Sequence, residues 1–311
     1  MGYRALINNI FGNSLNVEHL PAGFYNSDVA IISKETRKVV KIFSGRPGMP
    51  LTPESAVISG KRISEYRNRL AKMGMEVSSF FNWVIAIDEE TGLPSVVMIE
   101  PYCGPDVATL LRQADDDGCL QLERGLLGTL EPIIKSGLSG RLSVGIDAQP
   151  SNFTWLDGRY TFIDFTPPRY LEGENYLIED PQPKTKEGYD LGFWRYYTPE
   201  GILSVFLSQL TRIRPKMFSR FKDLLVSWLN DNDVSLAQQF KNLSINLDNL
   251  NSIINPVQLR LIMCDLISRN GASIEEVGGF FKLTHFEDQL SDITLAAAHK
   301  KIRELYYKVT N

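Results

Sequence analysis

The alternation of apolar and polar positions changes character a third of the way along the chain. Two β-branched runs, Ser27–Ser33 and Arg37–Phe43, flank the polar Lys34-Glu35-Thr36 and predict a hairpin. Between Pro53 and Met75 the apolar spacing becomes helical, with Ala56, Ile63, Tyr66 and Leu70 on one face. Thr52 offers a capping hydroxyl, and Pro53 occupies the first helical position, where a missing N–H costs nothing. After Gly74 strand patterns return in Ser78–Ile87 and Pro94–Glu100, around a turn at Asp88–Gly92. The predicted order is strand, strand, helix, strand, strand.

Beyond Cys103-Gly104 the pattern is helical over Asp106–Gln113 and Leu120–Ser136, with the acidic Asp115-Asp116-Asp117-Gly118 expected as a loop between them. In Leu142–Phe165 two short apolar runs surround Asp157-Gly158, a pair suited to the positive φ angles of a two-residue hairpin turn. Thr166–Tyr189 carries four prolines and little periodicity. From Pro199 onward the pattern is helical, with breaks near Pro215, Asn230–Asp233, Asn251–Pro256 and Asn270-Gly271. These patterns predict an α+β chain. A mixed N-terminal lobe covers residues 1–102, and a mostly helical C-terminal lobe covers 103–311.

The 311 residues are 43% hydrophobic and 23% charged, a balance that supports a buried core without disulfides or metals. With 33 basic against 37 acidic residues, the chain lacks the basic excess expected of a protein that coats phosphate backbones, and no nucleic-acid partner is expected. Cys103, Cys119 and Cys264 are scattered and odd in number, which argues against a disulfide framework or zinc ribbon. No run approaches the roughly 18 apolar residues of a membrane span. The first fifteen residues lack the apolar core of a signal peptide, so a cytoplasmic protein without a membrane partner is the expectation.

Candidate chemistry concentrates in Val144–Phe165. Asp147 and Asn152 are five apart with Pro150 between them, and twelve residues past Asn152 an apolar strand ends in Ile163-Asp164-Phe165. Asp147 and Asn152 are also residue types that cap backbone groups in loops. Asp164 is harder to assign to structure alone, since a carboxylate among Phe162, Ile163 and Phe165 is costly without a cation. The succession D-x-x-P-x-N, hairpin, I-D-F resembles the catalytic and metal loops of the protein-kinase-like superfamily. It is closer to the aminoglycoside and choline phosphotransferase branch, which typically reads H-G-D-x-x-P-x-N followed by I-D-F or I-D-W. Upstream, Val39-Val40-Lys41-Ile42 resembles the family's strand lysine, and the run from Glu65 to Val77 resembles its following helix. Met98–Gly104 stands where the hinge belongs, so the likeness extends over residues 20–165.

The resemblance implies a bilobal protein-kinase-like fold, with ATP and Mg²⁺ as cofactors and a small-molecule hydroxyl as acceptor. Lys41 would steady the α- and β-phosphates and be held by Glu65, with Glu54 on the same helix as the alternative. Asn152 and Asp164 would hold the metal, and Asp147 would accept or orient the acceptor's proton. Gly23 would belong to the phosphate-covering loop, and peptide groups around Glu100 and Tyr102 would hydrogen-bond adenine. Two departures weaken the match: Gly145 replaces the usual histidine two before Asp147, and Gly23 is the lone glycine between Leu20 and Ala30. No A-P-E follows Asp164-Phe165, which favours a small-molecule phosphotransferase over a regulated protein kinase. A divergent protein kinase and a catalytically weak pseudokinase acting as a binding scaffold remain the alternatives.

Overall fold

The computed structural model describes residues 17–19, 28–32, 38–46, 49–79, 82–87, 91–137, 144–165, 170–172, 175–177, 196, 198–241, 250, 256–270 and 292–310. The architecture is α+β, with a small antiparallel sheet in the N-terminal part and a mostly helical C-terminal part. The chain divides into two compact units, one comprising Met1–Lys72 and Glu76–Gly104, the other Met73–Met75 and Pro105–Asn311.

The first unit is built on strands β1 (Val17–His19), β2 (Asp28–Ile32) and β3 (Lys38–Phe43), a short hairpin β4 (Gly45–Arg46) and β5 (Met49–Pro50), helix α1 (Pro53–Lys72), and strands β6 (Asn82–Ile87) and β7 (Pro94–Pro101). Five of these strands form one antiparallel sheet in the order β1-β2-β3-β7-β6. The expected hairpin is β2–β3, although its turn residues lie outside the described residues, and β1 is an additional edge strand. Helix α1 starts where Thr52 predicts: Ser55 N–H donates to Thr52 Oγ1 at 3.2 Å, and Ala56 N–H to the Thr52 carbonyl at 2.9 Å. Its buried face is Ala56, Ile63, Tyr66 and Leu70, as the periodicity requires. Gly60 admits the Trp83 ring, because a Cβ there would meet it at 2.5 Å. Trp83 Nε1 donates to Ser64 Oγ on the same helix at 2.8 Å.

In the second unit, Asp106 caps helix α2 (Val107–Gln113) by accepting from Thr109 N–H at 2.8 Å. The acidic run corrects the sequence expectation. Helix α3 spans Asp116–Gly137, so Asp116 and Asp117 form its first turn rather than a loop. Asp115 caps it by accepting from Gly118 N–H at 2.8 Å, and acidic side chains there favour the positive end of the helix dipole. Strands β8 (Phe153–Leu156) and β9 (Arg159–Phe162) make the expected hairpin, with Asp157 at φ 50° and Gly158 at φ 81°. A further hairpin, β10 (Tyr170–Glu172) and β11 (Asn175–Leu177), falls in the segment read as loop.

Helices α4 (Pro199–Ile213), α5 (Phe218–Asn230), α6 (Val234–Lys241), α7 (Pro256–Asn270) and α8 (Asp292–Thr310) complete this unit. Thr198 caps α4, accepting from Gly201 N–H at 3.1 Å. Helix α4 lies in the core and packs against α2, α5 and α7, with Ile202, Leu203, Phe206, Leu207 and Leu210 fully buried. Its buried Ser204, Ser208 and Thr211 return their hydroxyls to carbonyls one turn back at 2.8 Å, which satisfies them inside the apolar packing.

Candidate active site

In the first unit the candidate residues lie on one face of the β3–β7 ladder. Lys41 is directly opposite Met98, and Met98 is directly opposite Trp83 on β6. Side chains opposite one another share a face, and Trp83 packs on α1, so Lys41 is on the helix-covered side of the sheet. Glu100, two residues beyond Met98, shares that face. Its Oε1 lies 3.0 Å from Lys41 Nζ. Both residues are buried, Lys41 at 9% and Glu100 at 2% exposure. A buried charge is tolerable only when paired, which is what this diagonal contact provides.

Lys41 is thus paired with a strand carboxylate that the sequence did not suggest. Glu65 Oε1 instead accepts from Arg69 on its own helix, at 3.0 Å from Nε and 2.6 Å from Nη2. One helical turn separates Glu65 from Arg69, so the pair forms from local geometry. Glu54 is exposed in the first turn of α1. The β3–β7 ladder ends at the Lys38–Pro101 pair, leaving the half-buried Tyr102 just past the strand. Cys103 Sγ contacts the Pro101 carbonyl at 3.4 Å. Burial pushes the Cys103 thiol up, and the neighbouring Glu100 carboxylate adds to the rise. Gly23 lies outside the described residues.

In the second unit the candidate residues share one braced loop and hairpin. Pro150 opens a single 3₁₀ turn through Asn152, closed by Asn152 N–H donating to the Gln149 carbonyl at 2.9 Å. Asn152 Nδ2 then donates to the Asp147 carbonyl oxygen at 3.0 Å. That bond turns the NH₂ toward the loop, so the side chain's acceptor, Oδ1, faces away from the Asp147 carbonyl. Ile163 N–H donates to the Asn152 carbonyl at 2.9 Å, extending the β8–β9 register of Phe153 opposite Phe162 by one step. That bond brings the residue preceding Asp164 against Asn152. The Phe153 and Phe162 rings meet edge-on at 5.2 Å, and Phe162 meets Phe165 at 6.1 Å, anchoring both ends of the hairpin in the core.

Asp147 is half-buried, and its Oδ2 accepts from Gln149 Nε2 at 2.9 Å. Gln149 is a site neighbour that no motif marks, and its place two residues after Asp147 sets it within reach of that carboxylate. Gly145 does not leave the loop unbraced, because Ile146 N–H donates to the Tyr196 carbonyl at 2.7 Å. The hairpin is tied to the start of α2 by Trp155 N–H donating to the Pro105 carbonyl at 3.1 Å. Gly125 on α3 admits Tyr160 of β9, since a Cβ there would lie 2.2 Å from the ring.

A magnesium ion fits the donor chemistry of this hairpin: a neutral amide oxygen at one end and a carboxylate at the other, both hard oxygen donors. No cluster of three or more acidic, histidine or cysteine side chains suited to a metal occurs among the described residues, so a metal here would keep several waters or substrate oxygens. No described helix is long and apolar enough to cross a membrane.

No family model and no curated protein matches this sequence. Among solved structures, the chain is similar to a MAP kinase from Leishmania major, at 11% identity and a TM-score of 0.36, over 99% of this chain and 98% of that one. A likeness at that level identifies neither a family nor an activity.

Proposed function

We propose that the chain is an ATP- and Mg²⁺-dependent phosphotransferase that moves the γ-phosphate to a hydroxyl of a small molecule. The observation that carries this reading is the Asn152 Nδ2 to Asp147 carbonyl bond, joined to the Ile163–Asn152 bond. Together they hold a candidate base, an amide oxygen and a strand-end carboxylate on one rigid piece of backbone. Phosphoryl transfer asks the protein mainly to position groups and stabilise charge, and such a piece does both.

In this reading Asn152 and Asp164 hold Mg²⁺, which when bound neutralises charge on the nucleotide's phosphate oxygens. Lys41 contacts the α- and β-phosphates, and the peptide groups around Glu100 and Tyr102 receive adenine. Asp147 orients the acceptor hydroxyl and takes its proton as the oxygen attacks the γ-phosphorus. The bond from that phosphorus to the bridging oxygen breaks, and ADP leaves with the electron pair. Gln149 fixes the rotation of the Asp147 carboxylate through its Oδ2 contact. The absence of A-P-E after Phe165 supports a small molecule as the acceptor.

The test is transfer of label from γ-labelled ATP, with Mg²⁺, to a panel of aminoglycosides, choline and sugars, set beside generic protein substrates. Label in the small-molecule fraction, lost in Asp147→Asn, is the expected result. Label only in protein would make the chain a protein kinase. No transfer by a protein that still binds Mg-ATP would leave a binding scaffold.

A further inference from the structure

We infer that Glu100 is the positioning residue for Lys41, and that the anchor of this lysine comes from a strand of the sheet instead of from the helix. The inference deepens the phosphotransferase reading and rests on it for the role of Lys41, while the pairing itself stands on geometry. Six consecutive residue pairs, from Lys38 opposite Pro101 to Phe43 opposite Val96, fix the register of β3 against β7. That register puts Glu100 diagonally across from Lys41 on the same face, within reach of a long side chain. The contact is 3.0 Å and nearly excluded from water. Glu65, the carboxylate that the sequence offered for this task, is engaged with Arg69 and half-exposed.

The origin of the anchor has a functional consequence. A helix that pairs with a lysine positions it only while the helix is in place. A partner on the adjacent strand is fixed by the backbone ladder, so Lys41 is held whatever α1 does. The contact is an ion pair, and an ammonium keeps its full charge toward a phosphate while paired with one carboxylate. The lysine is thereby ready before a nucleotide arrives, and no helix movement is needed to set it.

The test uses the full chain with ¹⁵N-labelled lysine, observing the side-chain ammonium signal of Lys41, assigned by its loss in Lys41→Arg. Wild type and Glu65→Gln are expected to show a distinct, slowly exchanging Lys41 signal without nucleotide. Glu100→Gln is expected to lose it. Glu100→Asp, which keeps the charge but retracts it by one methylene, is expected to shift it and retain part of its protection. Should Glu100→Gln fail to fold because Lys41 loses this buried carboxylate, the Glu100→Asp comparison carries the test. Mg-ADP affinity is measured on the same proteins. It is expected to fall about tenfold in Glu100→Gln and about twofold or less in Glu65→Gln. A Lys41 signal that disappears in Glu65→Gln and survives in Glu100→Gln overturns the inference. So does unchanged Mg-ADP affinity in a folded Glu100→Gln whose wild type binds. A Lys41 signal anchored by Glu100 in a protein that binds no nucleotide retains the pairing and instead removes the phosphotransferase reading.

Discussion

Asn152 donates its side-chain amide to the backbone carbonyl of Asp147 at 3.0 Å, closing a loop whose two ends both carry candidate chemistry. The direction of that bond decides what the side chain can do. With the NH₂ turned inward, asparagine presents an oxygen outward, and aspartate at the same position would set two acceptors against each other.

Substitution at Asn152 should therefore separate structure from chemistry. Asn152→Ala loses one hydrogen bond, so unfolding free energy should drop by about 0.5–1.5 kcal/mol. Asn152→Asp should cost more, about 1–3 kcal/mol, because the Asp147 carbonyl is left facing an acceptor. Thermal unfolding at neutral pH without metal reads both. Equal stability for the two variants would mean that the bond to Asp147 does not form.

Glu123 gives a pH dependence whose sign can be worked out. It sits on the core face of α3, fully buried, with neither carboxylate oxygen hydrogen-bonded to a described residue. Burial raises its pKa from 4.5 to about 9. The folded state therefore holds a proton that the unfolded chain releases, and stability is greatest below the unfolded value. It should fall by roughly 1.4 kcal/mol per pH unit between the two values and level off once the folded carboxyl ionises. Glu123→Met should be more stable than wild type, with a margin that widens from pH 5 to pH 9. A margin independent of pH would show that Glu123 is not a buried acid.

Gly125 makes room for Tyr160, and so for the hairpin that presents Asn152 and Asp164. Replacing a helical glycine by alanine ordinarily gains up to about 1 kcal/mol. Here the new methyl would meet the Tyr160 ring at 2.2 Å, and overpacking of this kind costs about 1–3 kcal/mol. The net effect of Gly125→Ala should be a lower Tm, relieved when Tyr160→Ala is added. Additive effects of the two changes would mean that the ring does not rest on Gly125.

Legibility from sequence followed the range of the interaction. The Asp157-Gly158 turn, the Thr52 cap and the Ala56–Leu70 stripe are local, and the residues that make them stand next to one another in the chain. The D-x-x-P-x-N spacing is equally local, and the 3₁₀ turn at Pro150 converts it directly into the Asn152–Asp147 bond. Asp115 to Asp117 misled because an acidic run suits both a solvated loop and a helix start, and the cap at Asp115 decides between them. The Glu100 contact was invisible for a different reason. It depends on the register between two strands nearly sixty residues apart in sequence, which apolar periodicity does not encode. Glu65 looked suitable because it lay on the right helix, yet its Arg69 neighbour is one turn away.

The central claim is a metal-dependent nucleotide site that includes Asp164, and the most direct measurement is the Tm of wild type and Asp164→Ala with and without Mg-ATP. At ligand near 100 times its dissociation constant, binding should add about 2.7 kcal/mol to wild type, a rise of several degrees. This rise should require Mg²⁺ and be lost in Asp164→Ala. No rise in wild type, or an equal rise in both proteins, would contradict the claim.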